Sequence, residues 1–289
     1  MRIAANNIHL EVEEHGDPGA PVLILVRGLG SQIVHWAPEL ITGFVAAGYR
    51  VVTFDNRDVG LSDRCPAPGS QGDADAILAD VQAGRVPKPA YDLQDMARDV
   101  TALMDALGIE CAHVFGISMG GAIVQILACD HPDRFRSATI VMSSARLRGL
   151  DLGERLLSRP VDRAGYVDGA LAGDREWGSP GYPASETYLR AQAERAYDRG
   201  AEAEGVNRQL VAILNTSDRR NALGRVTLPC LVIHGTDDTL IPPEEGREIA
   251  SLIPDAELEV IDGMGHVITP ALAPLIVERV NRFIAGRSV

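Results

Sequence analysis

Apolar positions along the first half of the chain fall into two alternating patterns, short β-branched runs and longer stretches with helical spacing. Ile8, Leu10 and Val12 alternate with His9, Glu11 and Glu13, a period of two that describes a half-exposed strand. Val22-Leu23-Ile24-Leu25-Val26 and Val51-Val52-Thr53-Phe54 carry little or no polar alternation, as strands buried on both faces do. Further strands are expected at 113–116, 138–142, 230–233 and 258–261. Between them, Leu93, Met96, Val100, Leu103 and Leu107 share one helical face, with Asp92 placed to cap the helix and Gly108 to end it. A second helix, from Met119 to about Asp130, carries Ile123, Val124, Ile126 and Leu127 and is stopped by Pro132. It is apolar nearly all round, which predicts a buried position. Strands alternating with helices in this way build a mostly parallel sheet flanked by helices on both faces.

Two segments break the rhythm. Residues 63–89 are rich in Gly, Ala, Pro and Asp and read as a loop excursion, with a short helix suggested by Ile77, Leu78 and Val81. Residues 144–222 hold Arg, Glu and Gly together with Ala-rich helical stretches such as 188–197, but no buried strand, and strand rhythm returns only at Leu228. The expected organisation is a core domain formed by 1–143 and 223–289, with 144–222 inserted after the sixth strand as a helical cap. A length of 289 residues accommodates both.

Composition narrows the function classes. Hydrophobic residues make up 46% and charged residues 23%, which is ample for a folded core. Forty acidic against 27 basic residues give a net charge of −13, which repels phosphate backbones and anionic lipid and argues against a nucleic-acid or membrane-surface role. Cys65, Cys111, Cys129 and Cys230 are far apart and form no CxxC pair, so they read as reduced, mostly buried thiols, not as metal ligands. The first residues contain no apolar signal-peptide region, and the longest apolar runs, 22–26 and 122–128, fall far short of the roughly 20 residues a bilayer span needs. A cytoplasmic, membrane-free protein is expected.

The most specific chemical signal is Gly116-Ile117-Ser118-Met119-Gly120, directly after one expected strand and directly before the buried helix. A serine lifted out of so sharp a turn adopts a strained backbone, and flanking glycines remove Cβ atoms that would clash. A serine nucleophile needs a base within hydrogen-bond reach, oriented by a carboxylate. Of seven histidines, His266 is the favoured base: it sits in Asp262-Gly263-Met264-Gly265-His266, a glycine-rich loop after the 258–261 strand, where a loop histidine of purely structural role is the competing reading. His9, His15 and His131 fit solvated or capping roles, and His234 reads as closing its strand. Asp237 and Asp238 both follow the 230–233 strand. Asp238 is chosen as the acid, with Asp237 reading as a solvated partner or turn residue. An oxyanion hole would take the amide of Met119 and, from Arg27-Gly28-Leu29-Gly30-Ser31, the amide of Leu29, unless that loop is a plain glycine turn. His35, Trp36, Tyr166, Trp177, Tyr182 and Tyr188 are candidates for pocket lining, and Trp36 equally for core packing.

These residues resemble the α/β-hydrolase superfamily over essentially the whole chain, in the order Ser118, Asp238, His266. Asp55-Asn56-Arg57-Asp58-Val59-Gly60-Leu61-Ser62 is similar to that family's DxRGxGxS turn, and the segment from His234 to Pro242 to its HGxxDxxxP motif. The Ser-Met-Gly elbow, the NRD turn and the Gly-Met-Gly-His loop are similar to small soluble esterases of the aclacinomycin methylesterase type. Two positions depart from the pattern. Arg27 stands where many relatives have histidine, suiting either a carboxylate partner or an anionic substrate group, and Asp58 stands where glycine is usual. The resemblance implies a serine hydrolase acting on a small-molecule ester, with no cofactor and no metal. Lactonases, carbon-carbon bond hydrolases, perhydrolases and slow-hydrolysing small-molecule receptors share the same residues.

Overall fold

The computed structural model describes residues 1–146 and 155–287, so part of the expected cap, 147–154, lies outside the described residues. Eight strands form one sheet: β1 (Arg2–Ala5), β2 (Ile8–His15), β3 (Val22–Val26), β4 (Arg50–Phe54), β5 (Ala112–Ile117), β6 (Phe135–Val141), β7 (Cys230–Gly235) and β8 (Glu257–Ile261). Their spatial order is β1-β2-β4-β3-β5-β6-β7-β8. The β1/β2 and β2/β4 pairs are antiparallel and every other pair is parallel. β1 was not among the expected strands. It pairs Ala5 with Ile8 across a two-residue turn in which Asn6 and Asn7 have φ of 49° and 63°, a left-handed pair that suits asparagine and matches strand twist.

The β-strand alternation sorts the core into two layers. Ile24, Val26, Val52, Phe54, Val114 and Ile140 face α3 (Leu93–Ala106) and α4 (Met119–Asp130). Leu23, Leu25, Val51, Phe115 and Val141 face α1 (Pro38–Ala46) and α10 (Ala273–Ala285). Helix α3 starts where its capping residues dictate: the Asp92 carboxylate accepts from Asp95 N at 2.7 Å, and the Asp95 carboxylate accepts from Asp92 N at 3.1 Å. Helix α4 is buried along almost its whole length, as its composition predicts. The 63–89 excursion carries one short helix, α2 (Ala74–Gln82), which buries Ile77 and Val81.

Between β6 and β7 the described residues contain α5 (Arg163–Trp177), α6 (Glu186–Asp198), α7 (Ala203–Leu214) and the short α8 (Arg220–Leu223), and no strand. Helix α9 (Pro243–Leu252) then joins β7 to β8. Two ion pairs, one part-buried and one fully buried, tie Arg199, the residue that caps the end of α6, and Arg208 of α7 to the turn after β4. Arg199 Nη2 donates to Asp55 Oδ2 at 2.7 Å, and Arg208 Nη2 donates to Asp58 Oδ1 at 2.6 Å. Asp58 has φ of 74°, which accounts for glycine being usual there. Here the carboxylate that occupies this strained position also accepts from Cys65 N at 2.8 Å. The four cysteines are unpaired. Only Cys230 is buried, the others being partly exposed, a smaller degree of burial than their composition suggested. No helix of the described residues is long and apolar enough to cross a membrane.

Candidate active site

Ser118 occupies the junction of β5 and α4 with φ 55° and ψ −120°, a backbone conformation that costs a non-glycine residue about 1–3 kcal/mol. The flanking glycines permit it. A Cβ on Gly116 would lie 2.3 Å from Gly120 O, and one on Gly120 would lie 2.2 Å from Val26 O, so the strand, the helix and β3 approach as closely as backbones can. The elbow is pinned by Ser118 N donating to Val141 O at 3.0 Å and by Ser143 Oγ donating to Ser118 O at 2.9 Å.

His266, in the loop after β8, brings Nε2 to 3.0 Å from Ser118 Oγ and Nδ1 to 2.7 Å from Asp238 Oδ2. Its backbone is held from the segment between β6 and β7: His266 N donates to Trp177 O at 2.7 Å, and Gly265 N donates to Ser179 Oγ at 2.9 Å. Asp238 is buried after β7, and its other oxygen accepts from Leu240 N and Ile241 N at 3.0 and 2.8 Å. Burial alone would raise the pKa of this carboxyl. Hydrogen bonds to His234, His266 and the Ile241 amide outweigh burial and hold it well below the usual carboxylate range, keeping Asp238 ionised. Asp237 turns away and accepts from Thr236 Oγ1 at 2.6 Å. His234 is fully buried, with Nε2 2.8 Å from Ile241 O and 3.4 Å from Asp238 Oδ2, and so supports the Asp238 side chain.

The amides of Leu29 and Met119 donate to no described residue, and both residues border the same cavity as Ser118 and His266. The loop that carries Leu29 is fixed at both ends. Asn56 Nδ2 donates to Arg27 O at 3.1 Å. Gly30 N donates to Gln209 Oε1 at 2.9 Å, while Gln209 Nε2 donates to Arg57 O at 2.7 Å. Gln209 and Ser179 were not legible in the sequence as site residues, because their partners lie 179 and 86 residues away.

The cavity over Ser118 has a volume of about 430 Å³, within the range of small-molecule sites, and much of its wall is apolar, from Ile117, Met142, Ile213 and Leu240 among others. A second cavity of about 220 Å³ adjoins it, sharing Arg27, Ser31, Ile117, Trp177 and His266. Of the aromatic and histidine candidates, Trp177 borders both cavities, and His35 and Tyr188 border the second. Trp36 is 2% exposed and packs edge-on against Phe115, so it belongs to the core. Tyr166 packs on Tyr197 beside a separate cavity, and Tyr182 packs against the α1/α10 layer. Arg27 has no carboxylate partner among the described residues. Its guanidinium lies 4.4 Å from the Trp36 ring centre instead. No group of three or more His, Cys, Asp or Glu among the described residues is arranged to hold a metal ion.

The sequence profile of the α/β hydrolase fold family matches residues 21–269. The chain is 28% identical to rhodomycin D methylesterase DnrP of Streptomyces peucetius, over 93% of each chain, and 28% identical to a putative carbamate hydrolase of Caulobacter segnis, over 95% of this chain and 96% of that one. Among solved structures, an enol-lactonase from Burkholderia xenovorans superposes with a TM-score of 0.77 at 24% identity, over 99% of this chain and all of the other. An esterase from a Rhodococcus species superposes at 0.74 with 20% identity, over 99% and 98%. These two structures speak to the fold. With the profile spanning most of the chain and the sheet order, elbow and strand-end loops in place, the protein is a hydrolase and belongs to the α/β-hydrolase fold family.

Proposed function

We propose that this hydrolase cleaves carboxylic esters of small molecules through an acyl-enzyme on Ser118, with Asp238 and His266 completing the triad. The observation that carries the reading is the continuous relay from Asp238 Oδ2 through the imidazole to Ser118 Oγ, at 2.7 and 3.0 Å. The ionised Asp238 favours the tautomer with hydrogen on Nδ1, leaving Nε2 free to accept the serine proton. Oγ then bonds to the ester carbonyl carbon, and the carbonyl electron pair moves onto oxygen, where the Leu29 and Met119 amides donate to it. The proton on Nε2 passes to the leaving alkoxide as the carbon-oxygen bond breaks, and an alcohol departs. Water next gives its proton to Nε2 and attacks the acyl carbon. The serine recovers its proton and a carboxylic acid is released. A lactone, being an internal ester, follows the same steps.

The described part of residues 144–222 acts in this reading as a cap over the carboxyl ends of the strands. The methylesterase relative supports the ester assignment. The test is hydrolysis of p-nitrophenyl acetate, butyrate and octanoate by the wild type and by Ser118→Ala of matched folding. A loss in kcat of at least about a thousandfold in the variant is expected. Equal turnover in both proteins would remove Ser118 as nucleophile.

A further inference from the structure

Among the described residues the cavity over Ser118 is bordered by four arginines, Arg27, Arg146, Arg155 and Arg219, and by no aspartate or glutamate. For a chain of net charge −13 this is a local inversion of sign. The four are not equivalent. Arg146 and Arg155 are each more than 40% exposed and face Glu248 and Glu176 at 3.7 and 3.5 Å, so their charge is screened. Arg219 is buried, but its guanidinium is committed to Gln125, Thr216, Ser217 and Ser144 at 2.8–3.2 Å. Arg27 is different. It forms no ion pair and no side-chain hydrogen bond with any described residue, its buried Nε has no partner, and it stands where the two cavities meet. Its own backbone leads directly into Gly28, whose added Cβ would come within 3.1 Å of the Ser118 Cβ.

We propose that the physiological ester is itself an anion, and that Arg27 receives a carboxylate of the substrate while the ester carbonyl lies at Ser118. The inference rests on the ester-hydrolase reading above. A guanidinium presents planar donor pairs that match a carboxylate bidentately, and a desolvated unpaired guanidinium is costly unless a ligand completes it. Stacking on Trp36 supports the plane of the group without consuming its N–H donors. Burial lowers the Arg27 pKa to about 9, which still leaves it a cation at neutral pH. The acidic group of the second cavity, Asp174, belongs to α5 and borders the side that Tyr188 and Gln192 also line, not the larger cavity. The carboxylate is therefore expected on the portion of the substrate that enters the larger one, as in the half-ester of a dicarboxylic acid.

The test compares monoethyl adipate with diethyl adipate by pH-stat at pH 7.5, for wild type, Arg27→Met and Arg27→Lys. The wild type is expected to favour the half-ester at least tenfold in kcat/KM. The ratio should collapse at least tenfold in Arg27→Met and recover in part in Arg27→Lys. A purely structural Arg27 would lower both esters together and leave the ratio unchanged, which overturns the proposal, as does a wild-type preference for the diester. Binding of monoethyl adipate to Ser118→Ala, with and without Arg27→Met, is measured by calorimetry alongside. If neither ester is turned over, the ester reading fails for these substrates. The anion subsite is then judged on binding alone: at least tenfold weaker binding without Arg27 supports it, and unchanged or absent binding overturns it.

Discussion

Replacing Arg208 by methionine is expected to destabilise the fold by about 3–5 kcal/mol, the range for breaking a buried ion pair by removing one partner. The side chains of Arg208 and Asp58 are 2% and 0% exposed. Nη2 donates to Asp58 Oδ1 at 2.6 Å and Nε to Oδ2 at 3.0 Å, while Nη1 reaches Gln71 O. Without the guanidinium the Asp58 carboxylate keeps Cys65 N as its hydrogen-bonded partner and has no compensating charge. At roughly 2–4 °C per kcal/mol, Tm should fall by about 10 °C. Asp58→Gly acts in two directions. It relieves the left-handed φ of 74°, a gain of about 1 kcal/mol, but leaves buried Arg208 with only the exposed Glu204 carboxylate, at 3.9 Å, as counter-charge, for a net loss of about 2–4 kcal/mol. The double variant removes both charges and is expected within about 2 kcal/mol of wild type, so urea unfolding of all four proteins should give a coupling energy of at least about 3 kcal/mol. Single losses that add to within about 0.5 kcal/mol would refute the reasoning, because each group would then be satisfied independently of the other. A loss of esterase activity in Arg208→Met that exceeds its unfolded fraction would show α7 transmitting the change to its next residue, Gln209.

Gln209→Ala deprives the Gly30 amide of its acceptor and should lower kcat on p-nitrophenyl butyrate about tenfold with KM changed less than about twofold, as expected of a residue that positions an oxyanion donor. An unchanged kcat in Gln209→Ala would count against the Leu29 assignment. Stability should fall on mild acidification. Burial lowers the pKa of His35 to about 3, with Arg27 adding to the effect, and that of His113 to about 4, with Arg136 adding. The unfolded chain therefore binds protons below about pH 6.5 that the folded chain does not, and the stabilisation, intact above that value, is lost as pH falls toward the folded values, by roughly 2–4 kcal/mol between pH 7 and 5. Thermal melts across this range should flatten in His113→Gln, and a melt independent of pH down to 5 would oppose the assignment.

What the sequence made legible is what short-range chemistry determines. The elbow is written in five residues because its close approaches lie between neighbours in the chain and β3. The proposed acid and base, Asp238 and His266, could be singled out because each follows a strand whose own pattern is plain. β1 escaped because Arg2-Ile3-Ala4-Ala5 is too short and too lightly apolar to show a period, although Asn6-Asn7 was an available hairpin signal. β6 starts earlier than its apolar run because Ser137 is buried with its Oγ 2.8 Å from His113 Nδ1, a pairing that reads as loop polarity until the two strands are adjacent. The hydrogen-bonded partners named for Arg208, Gln209 and Ser179 are 86 to 179 residues distant, beyond any local pattern.

These distant contacts decide how the pocket can vary without loss of the chemistry proposed for it. Helix α7 contributes Ile213 to the cavity wall and, four residues earlier, the Gln209 side chain that fixes the proposed oxyanion loop, so substitution at 209 is expected to change the reacting geometry directly. Trp177 also borders the pocket and also holds a residue of the proposed triad, but through its carbonyl, which accepts from His266 N. Its indole can therefore be exchanged while the bond to the base remains, and the same holds for Tyr188, Leu189 and other residues of α6 that line the second cavity without bonding to Ser118, Asp238 or His266. Selection for a new substrate on this scaffold should accordingly accumulate changes at α6 and at position 177, and avoid 208 and 209, where side chains hold the core turn and the loop themselves.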